Sequence, residues 1–381
     1  MDNPQLLIEN SKRLKKFFSP FNPLLGDHED SERFLFKVNG LKKAYLPIPM
    51  KSIPLIQKLM AAGSISKFKR SHFFRSDFHS ISQLHTSLNN LRLKYDFSYW
   101  IYHNFPSQIP FKEYRTLLTS LQSLRWSGAP LRIIIRKNCL QDISAILFLF
   151  ILWFKDYATP NSNVMVVAPS SSDSRSFKDF FLGLKENSTS ISSKFKKTDT
   201  SSALYQPSNK SKFWFTSASD PDRCRSLDFA FLILKDTDKW KNSGESSLEK
   251  TIRATFPVVT ANKDSAIILE CGPLKRTRFL RKEILDAVQN ISGFKFLSVP
   301  WYDSPSNMYR FDFPEERITF YNNLIKYRKR RTFPHFPMAD ERYLYYLWDK
   351  GLPLESIYWY AAESSFYESS AKFQNLYPPV P

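Results

Sequence analysis

Apolar residues along this chain gather into short blocks separated by polar, Ser- and Pro-containing stretches, and the densest succession of blocks lies at residues 130–169 (PLRIIIRKNCLQDISAILFLFILWFKDYATPNSNVMVVAP). LRIII is a run of strand length, KNCLQD is a polar turn, residues 143–154 are apolar on every face, and NVMVVA is a second strand-length run. Strand, loop, buried helix and strand in that order predict a βαβ unit, the kind of unit that holds phosphates in nucleotide-binding proteins. The apolar stretch 143–154 falls short of the roughly 20 residues needed to cross a bilayer, so it predicts a core helix between strands and no membrane span.

On the N-terminal side, QLLIENSKRLKKFF spaces its apolar residues as an amphipathic helix does. Within 95–128, Leu117, Leu118, Leu121 and Leu124 recur at three- and four-residue intervals, which predicts a helix with one buried face ended by Ser127 and Gly128. Beyond the βαβ unit, 170–176 reads as a polar loop opening a helix over 177–184. Residues 186–211, rich in Ser, Thr and Lys, read as a flexible surface loop. Strands are expected at 213–216 and 229–234, a polar turn at 235–242, a second flexible stretch at 243–247 and a helix around 248–255. A strand at 266–269 ends in Glu270, Cys271, Gly272 and Pro273, and a helix over 277–290 leads to a strand at 295–299.

Apolar strands alternating with helices, without hairpin signals, predict an α/β fold: an open, mainly parallel sheet with helices on both faces. Residues 1–94 stand before it as a helical and aromatic extension rich in basic residues, 95–300 form the α/β core, and 301–381, aromatic and charged, read as a small helical lid.

Composition adds a partner. Across 381 residues the formal net charge is +19 and the pI is near 9.6, which favours a polyanion, nucleic acid first and an acidic membrane surface second. The clusters RLKK at 13–16 and KFKRSHFFR at 67–75 interleave charge with aromatic rings. Lys67, Lys69, Arg70 and Arg75 are therefore candidates for nucleic-acid contact. The alternative is a solvated basic face whose aromatics point inward. A second basic run, YRKRR at 327–331, makes Arg328, Lys329, Arg330 and Arg331 candidates on the same grounds, or a solvated charge run. Three cysteines without paired spacing argue against a disulfide scaffold and for a reducing compartment. The N-terminus is too acidic and too broken in hydropathy for a signal peptide, so a cytoplasmic location is expected.

These segments together resemble the ATPase domain of the large terminase subunit of tailed phages, the motor that drives DNA into capsids. That family has an aromatic YW segment before a helix, a strand and loop of the form PxRIIxxKxRQxGxST, and then NSNVxVVAPS. Here stand YDFSYWI, APLRIIIRKNCLQDIS and PNSNVMVVAPS. WFTSASDPDRCRSLDFAFLILKDTDKW is similar to the family's passage from an arginine loop into the acidic Walker B strand, and FLSVPWYDSP to its PW strand end. The C-terminal stretch from ADERYLYYLWDKGLPLES to QNLYPPVP matches an acidic helix, a GLS-type turn, a WY helix end and a YP before the nuclease linker. The resemblance covers about residues 95–381. It implies a P-loop NTPase-like fold, Mg-ATP as cofactor, DNA as partner, a homo- or hetero-oligomer, and a bacterial cytoplasm, phage or prophage setting. The family's nuclease domain would begin after Pro381, so no DNA cleavage is expected.

The chemistry departs from the family where the scaffold does not. A phosphate-binding loop needs glycine so that backbone N–H groups converge, a basic residue for charge and a hydroxyl for Mg²⁺. Lys137 and Ser144 match the last two positions, but Asp142 replaces the loop glycine, and Cys139, Leu140 and Ala145 replace Arg, Gln and Thr. An aspartate facing a triphosphate is repulsive. The strand that should end in Asp then Glu, to organise the metal and the attacking water, ends in Lys235 and Asp236. The coupling position carries Glu270, and Arg225 matches the arginine loop. Three motifs altered together predict a pseudo-ATPase without cofactor, binding nucleic acid or serving as an assembly scaffold. Two alternatives remain: a divergent active ATPase using Mg-ATP with Lys137, Ser144 and Asp236 as catalytic residue, or a protein-interaction module. For each charged residue the plainer reading is a loop salt bridge, Lys137 with Asp142 or Lys235 with Asp236 or Asp238. Cys139, Cys224 and Cys271 would meet near the strand ends. With no CxxC and no nearby histidine, no metal is expected there.

Overall fold

A computed structural model describes residues 3–17, 22–26, 32–105, 114–127, 130–137, 143–158, 162–186, 195–197, 202–207, 210–219, 228–241, 244, 247–260, 264–272, 278–304, 306–328, 341–367 and 370–377. The amphipathic N-terminal segment forms α1 (Asn3–Phe17). After it, β1 (Arg33–Phe36) and β2 (Ala44–Pro47) pair antiparallel. They are covered by α2 (Pro54–Ala62), α3 (Ile65–Lys69), α4 (His72–Asp77) and α5 (Ile81–Tyr95). This small unit has its own core, in which Phe68, Phe74 and Phe78 stack among Phe36, Leu59 and Leu84. Phe68 and Phe74, two of the rings interleaved with the basic cluster, therefore point inward and are buried, while Phe73 is half-buried beneath Lys58. Lys67, Lys69, Arg70 and Arg75 remain exposed.

Asp96 caps the next helix, α6 (Phe97–Asn104), by accepting the Tyr99 N–H at 3.1 Å. After α7 (Arg115–Arg125) comes β3 (Leu131–Arg136), then α8 (Ser144–Ala158) and β4 (Val164–Ala168), the expected βαβ unit. The helix α9 (Ser171–Glu186) starts earlier than the loop expected at 170–176. The cause is local: Ser170 Oγ accepts the Asp173 N–H at 3.1 Å and donates to the Asp173 carboxylate at 2.6 Å, so the serine run caps the helix.

The stretch expected as a flexible loop contains β5 (Lys196–Lys197) and β6 (Ala203–Gln206), followed by β7 (Ser211–Ser217). These three pair antiparallel, β5 with β6 and β6 with β7. The expectation fails because a few apolar residues suffice at a sheet edge: Phe195, Ala203 and Leu204 are buried, and Phe195 meets Phe181 and Phe213 edge-on. The chain continues through β8 (Phe231–Leu234), α10 (Leu248–Thr260), β9 (Ala266–Cys271), α11 (Arg278–Val288) and β10 (Lys295–Ser298). Ser247, placed in the second flexible stretch, is buried and bridges Lys241.

Among the described residues the main sheet has the order β10-β3-β9-β8-β4-β7-β6-β5, parallel from β10 to β7 and antiparallel beyond. Alternate side chains leave opposite faces. Ile133, Ile135, Val164, Val166, Phe231 and Ile268 turn to α8 and to the Phe97–Trp100 region of α6. Ile134, Met165, Val167, Leu232 and Leu269 turn to α10 and α11. The all-apolar α8 is thus enclosed by the sheet on one side and by α6, α7 and α9 on the others, and no helix among the described residues is long and apolar enough to cross a membrane.

The C-terminal helices α12 (Pro314–Arg328), α13 (Glu341–Asp349), α14 (Leu354–Ser364) and α15 (Ser370–Leu376) share an aromatic core. Trp301 stacks on Tyr360 and Trp359 at its centre. Leu6 of α1 enters that core. Asn10 clasps α14 through the Glu355 carboxylate at 2.9 Å and the Leu354 N–H at 2.8 Å, and Arg13 lies 3.5 Å over the Trp348 ring. The first helix of the chain thus packs with its last ones.

Candidate functional site

In a parallel sheet, ligands bind outside the carboxyl ends of the strands where the strand order reverses. Here β9 lies between β3 and β8, so the residues that follow three strands meet at one edge. Lys137 extends β3 by donating its N–H to Cys271 O at 2.9 Å, and the Lys235 N–H donates to Val167 O at 2.9 Å, which holds the end of β8 against β4. Glu270 stands between them on β9, fully buried.

The side chains form one ion-pair cluster. Lys137 Nζ lies 2.5 Å from Glu270 Oε1 and 3.1 Å from Asp236 Oδ1. Lys235 Nζ contacts Glu270 Oε2 and donates to Ser144 Oγ, at the start of α8, at 2.5 Å. The same ammonium sits 4.6 Å from the centre of the Phe177 ring, a cation–π contact. Lys239 completes the group at 3.3 Å from Asp236 Oδ2. One carboxylate, Glu270, therefore serves two lysines, and one aspartate serves two.

Backbone geometry holds this arrangement. Asp236 adopts φ 47°, ψ 47°, a left-handed conformation rare for a residue with a side chain. The turn redirects the chain so that Thr237 Oγ1 donates to Glu270 O at 2.9 Å and Trp240 Nε1 donates to Lys235 O at 2.8 Å. Asp238 accepts the Gly272 N–H at 2.6 Å, and a Cβ on Gly272 would come within 2.9 Å of that carboxylate.

Burial and charge act against each other here. For Lys137, burial disfavours the ammonium, but Glu270 and then Asp236 outweigh it and hold the charge well above the ordinary lysine range. For Lys235 burial wins: it pushes the ammonium down, Glu270 pulls it back in part, and Lys137 adds repulsion. Burial also raises Asp236, yet Lys137, Lys235 and Lys239 together bring it below the usual carboxylate range. Asp238 moves up, chiefly through burial.

Sequence position brings Lys137, Ser144, Lys235 and Asp236 together, as expected from their strand ends. The salt bridge expected of Lys235 is corrected in its partner: it pairs with Glu270, which also takes Lys137, while Asp236 pairs with Lys137 and Lys239; the expected Lys137–Asp142 pair lies outside the described residues. Asp142, Arg225, Cys139, Cys224 and Lys329, Arg330 and Arg331 lie outside the described residues. Arg328 is the last residue of α12, and Cys271 is buried at the end of β9. The signal for Glu270 was a carboxylate closing the otherwise apolar run AIILE. Among the described residues no group of three His, Cys, Asp or Glu side chains is placed to hold a metal ion.

A hydroxyl that serves Mg²⁺ in a phosphate-binding loop offers its lone pairs to the metal. Ser144 Oγ instead accepts from the Lys235 ammonium, which stands where a cation would sit beside Ser144 and Glu270. Two like charges cannot share that position, so the donor set that the described residues present does not fit a magnesium ion.

No protein-family model and no curated protein matches this chain. Among solved structures it is similar to the large terminase ATPase domain of Thermus phage P74-26, at 14% identity over 68% of this chain and 91% of that one, TM-score 0.40. It is also similar to the large terminase of bacteriophage HK97, at 11% identity over 58% and 48%, TM-score 0.42. A third is the large terminase of another thermophilic bacteriophage, at 13% identity over 54% and 51%, TM-score 0.38. The chain spans about half the length of these last two proteins. Likeness at this distance says nothing of activity, and what the site does rests on its own residues.

Proposed function

We propose that this protein is a terminase-like pseudo-ATPase: a nucleic-acid-binding or assembly-scaffold protein whose nucleotide site is closed by its own ion pairs. The observation that carries the reading is the Lys235 ammonium bound at once to Ser144 and Glu270. Support for the terminase-like part comes from the order of sequence motifs over 95–381 and from the sheet edge at which their strand ends meet. Support for a polyanionic partner comes from the net charge of +19 and from exposed Lys67, Lys69, Arg70 and Arg75.

Filter binding of duplex DNA to the full chain, without nucleotide and with Mg-ATP, tests it. Affinity should fall steeply between about 50 and 200 mM salt, as counterion release requires, and should not change when Mg-ATP is added. Absence of binding even at low salt would leave a protein-interaction module instead. An active ATPase is the second reading, favoured by the meeting of Lys137, Ser144 and Asp236 at one edge. DNA-stimulated phosphate release abolished by Lys137→Ala would establish it and overturn the pseudo-ATPase.

A further inference from the structure

Away from the sheet edge, the N-terminal unit and Tyr99 of α6 line a cavity of about 320 Å³ that opens to solvent, at the lower end of the roughly 300–1,000 Å³ typical of small-ligand sites. Its floor is apolar: Phe36, Leu46, Met50, Ile56 and Leu88 line it from β1, β2, the turn after them, α2 and α5. Its polar side carries Lys42, His85 and Arg92 beside Asn89 and Tyr99, and no acidic residue lines it among those described.

From this arrangement we infer that the cavity binds a small apolar molecule ending in a single carboxylate. The charge behind the wall points the same way. Asp96, fully buried, is held by both guanidinium forks: Arg33 at 2.9 and 3.0 Å and Arg92 at 3.4 Å. Arg92 thus shares the Asp96 carboxylate with a second cation, Arg33. Arg92 lies 4.1 Å over the Tyr99 ring and donates to Pro23 O at 2.9 Å, and Tyr99 donates to Asn89 Oδ1 at 2.6 Å, so the wall is fixed in place. Burial, the largest influence, pushes Arg92 below the ordinary arginine range; Asp96 opposes it and Arg33 adds a smaller repulsion. An added anion at this wall gives the buried Arg92 a further counter-charge, while its apolar body fills the floor.

Calorimetric titration of decanoate, decanol and decylammonium, each below its micellar concentration, into the full chain tests the inference. Decanoate should saturate one site, decanol should bind at least about tenfold more weakly and decylammonium more weakly still. Leu88→Trp, which fills the cavity, should abolish decanoate binding. Lys42→Glu, at an exposed position where the fold is not at stake, should weaken decanoate severalfold and leave decanol unchanged. Decanol binding as tightly as decanoate, decanoate insensitive to Lys42→Glu, or no saturable decanoate heat would overturn it.

Discussion

Glu270 is the keystone of the sheet-edge cluster, and its removal has a calculable consequence. Glu270→Gln keeps the side-chain shape but leaves the buried Lys235 ammonium with only the Ser144 hydroxyl and the Phe177 ring, and Lys137 with Asp236 alone. Breaking one side of a buried pair costs about 3–5 kcal/mol, because the remaining charge stays desolvated. Lys235→Met should cost less, about 1–3 kcal/mol, since Glu270 retains Lys137 at 2.5 Å. With both replaced, no buried charge is left without a partner across β8 and β9, so the double variant should be more stable than the sum of the singles predicts, by roughly 1–3 kcal/mol. Urea unfolding of the four proteins, followed by far-UV circular dichroism, measures the cycle. Additivity within about 0.5 kcal/mol, or a Glu270→Gln cost below about 1 kcal/mol, would refute the closed cluster.

Other residues give independent tests. Burial pushes the Asp303 carboxyl up to about 6, with Thr116 and Arg115 pulling back. A carboxyl raised in the folded state contributes stability that is complete below its unfolded value, near 3.8, and lost as pH climbs through about 6. Asp303→Asn should therefore raise the unfolding free energy from urea titration at about pH 8, by up to about 3 kcal/mol, and leave it unchanged near pH 4; the same gain at both values would refute the assignment. Gly26 has φ +77° and a Cβ there would lie 2.2 Å from Tyr45 O, whereas Gly63, at φ +68°, has nothing within 4 Å. Gly26→Ala should cost more than about 2 kcal/mol and Gly63→Ala about 1 kcal/mol, and equal thermal shifts would show that the Tyr45 contact is not rigid.

Much of this architecture is legible in the chain because a parallel sheet buries both faces of its strands. The runs at β3, β4, β8 and β9 are apolar enough to announce themselves, and α8 is readable as a core helix from its length. The antiparallel edge is not, since β6 needs only Ala203 and Leu204 to pay for its place. Which way the rings of 67–75 turn could be known only from Phe68 and Phe74 facing a core made from distant residues. The strand ends likewise revealed Lys137, Ser144, Lys235 and Asp236, but not who pairs with whom. That depends on β9 lying between β3 and β8, an order set by crossover connections rather than by local pattern. Nor does local pattern tell that α1 closes against α14 through Asn10 and Glu355.

The central claim is that the Lys235 ammonium and the carboxylates around it exclude nucleotide, and a calorimetric titration of Mg-ATP into the full chain addresses it most directly. The closed cluster predicts no saturable heat up to about 1 mM ligand, an affinity weaker than about −4 kcal/mol. Micromolar binding at one site, lost in Lys137→Ala, would contradict it.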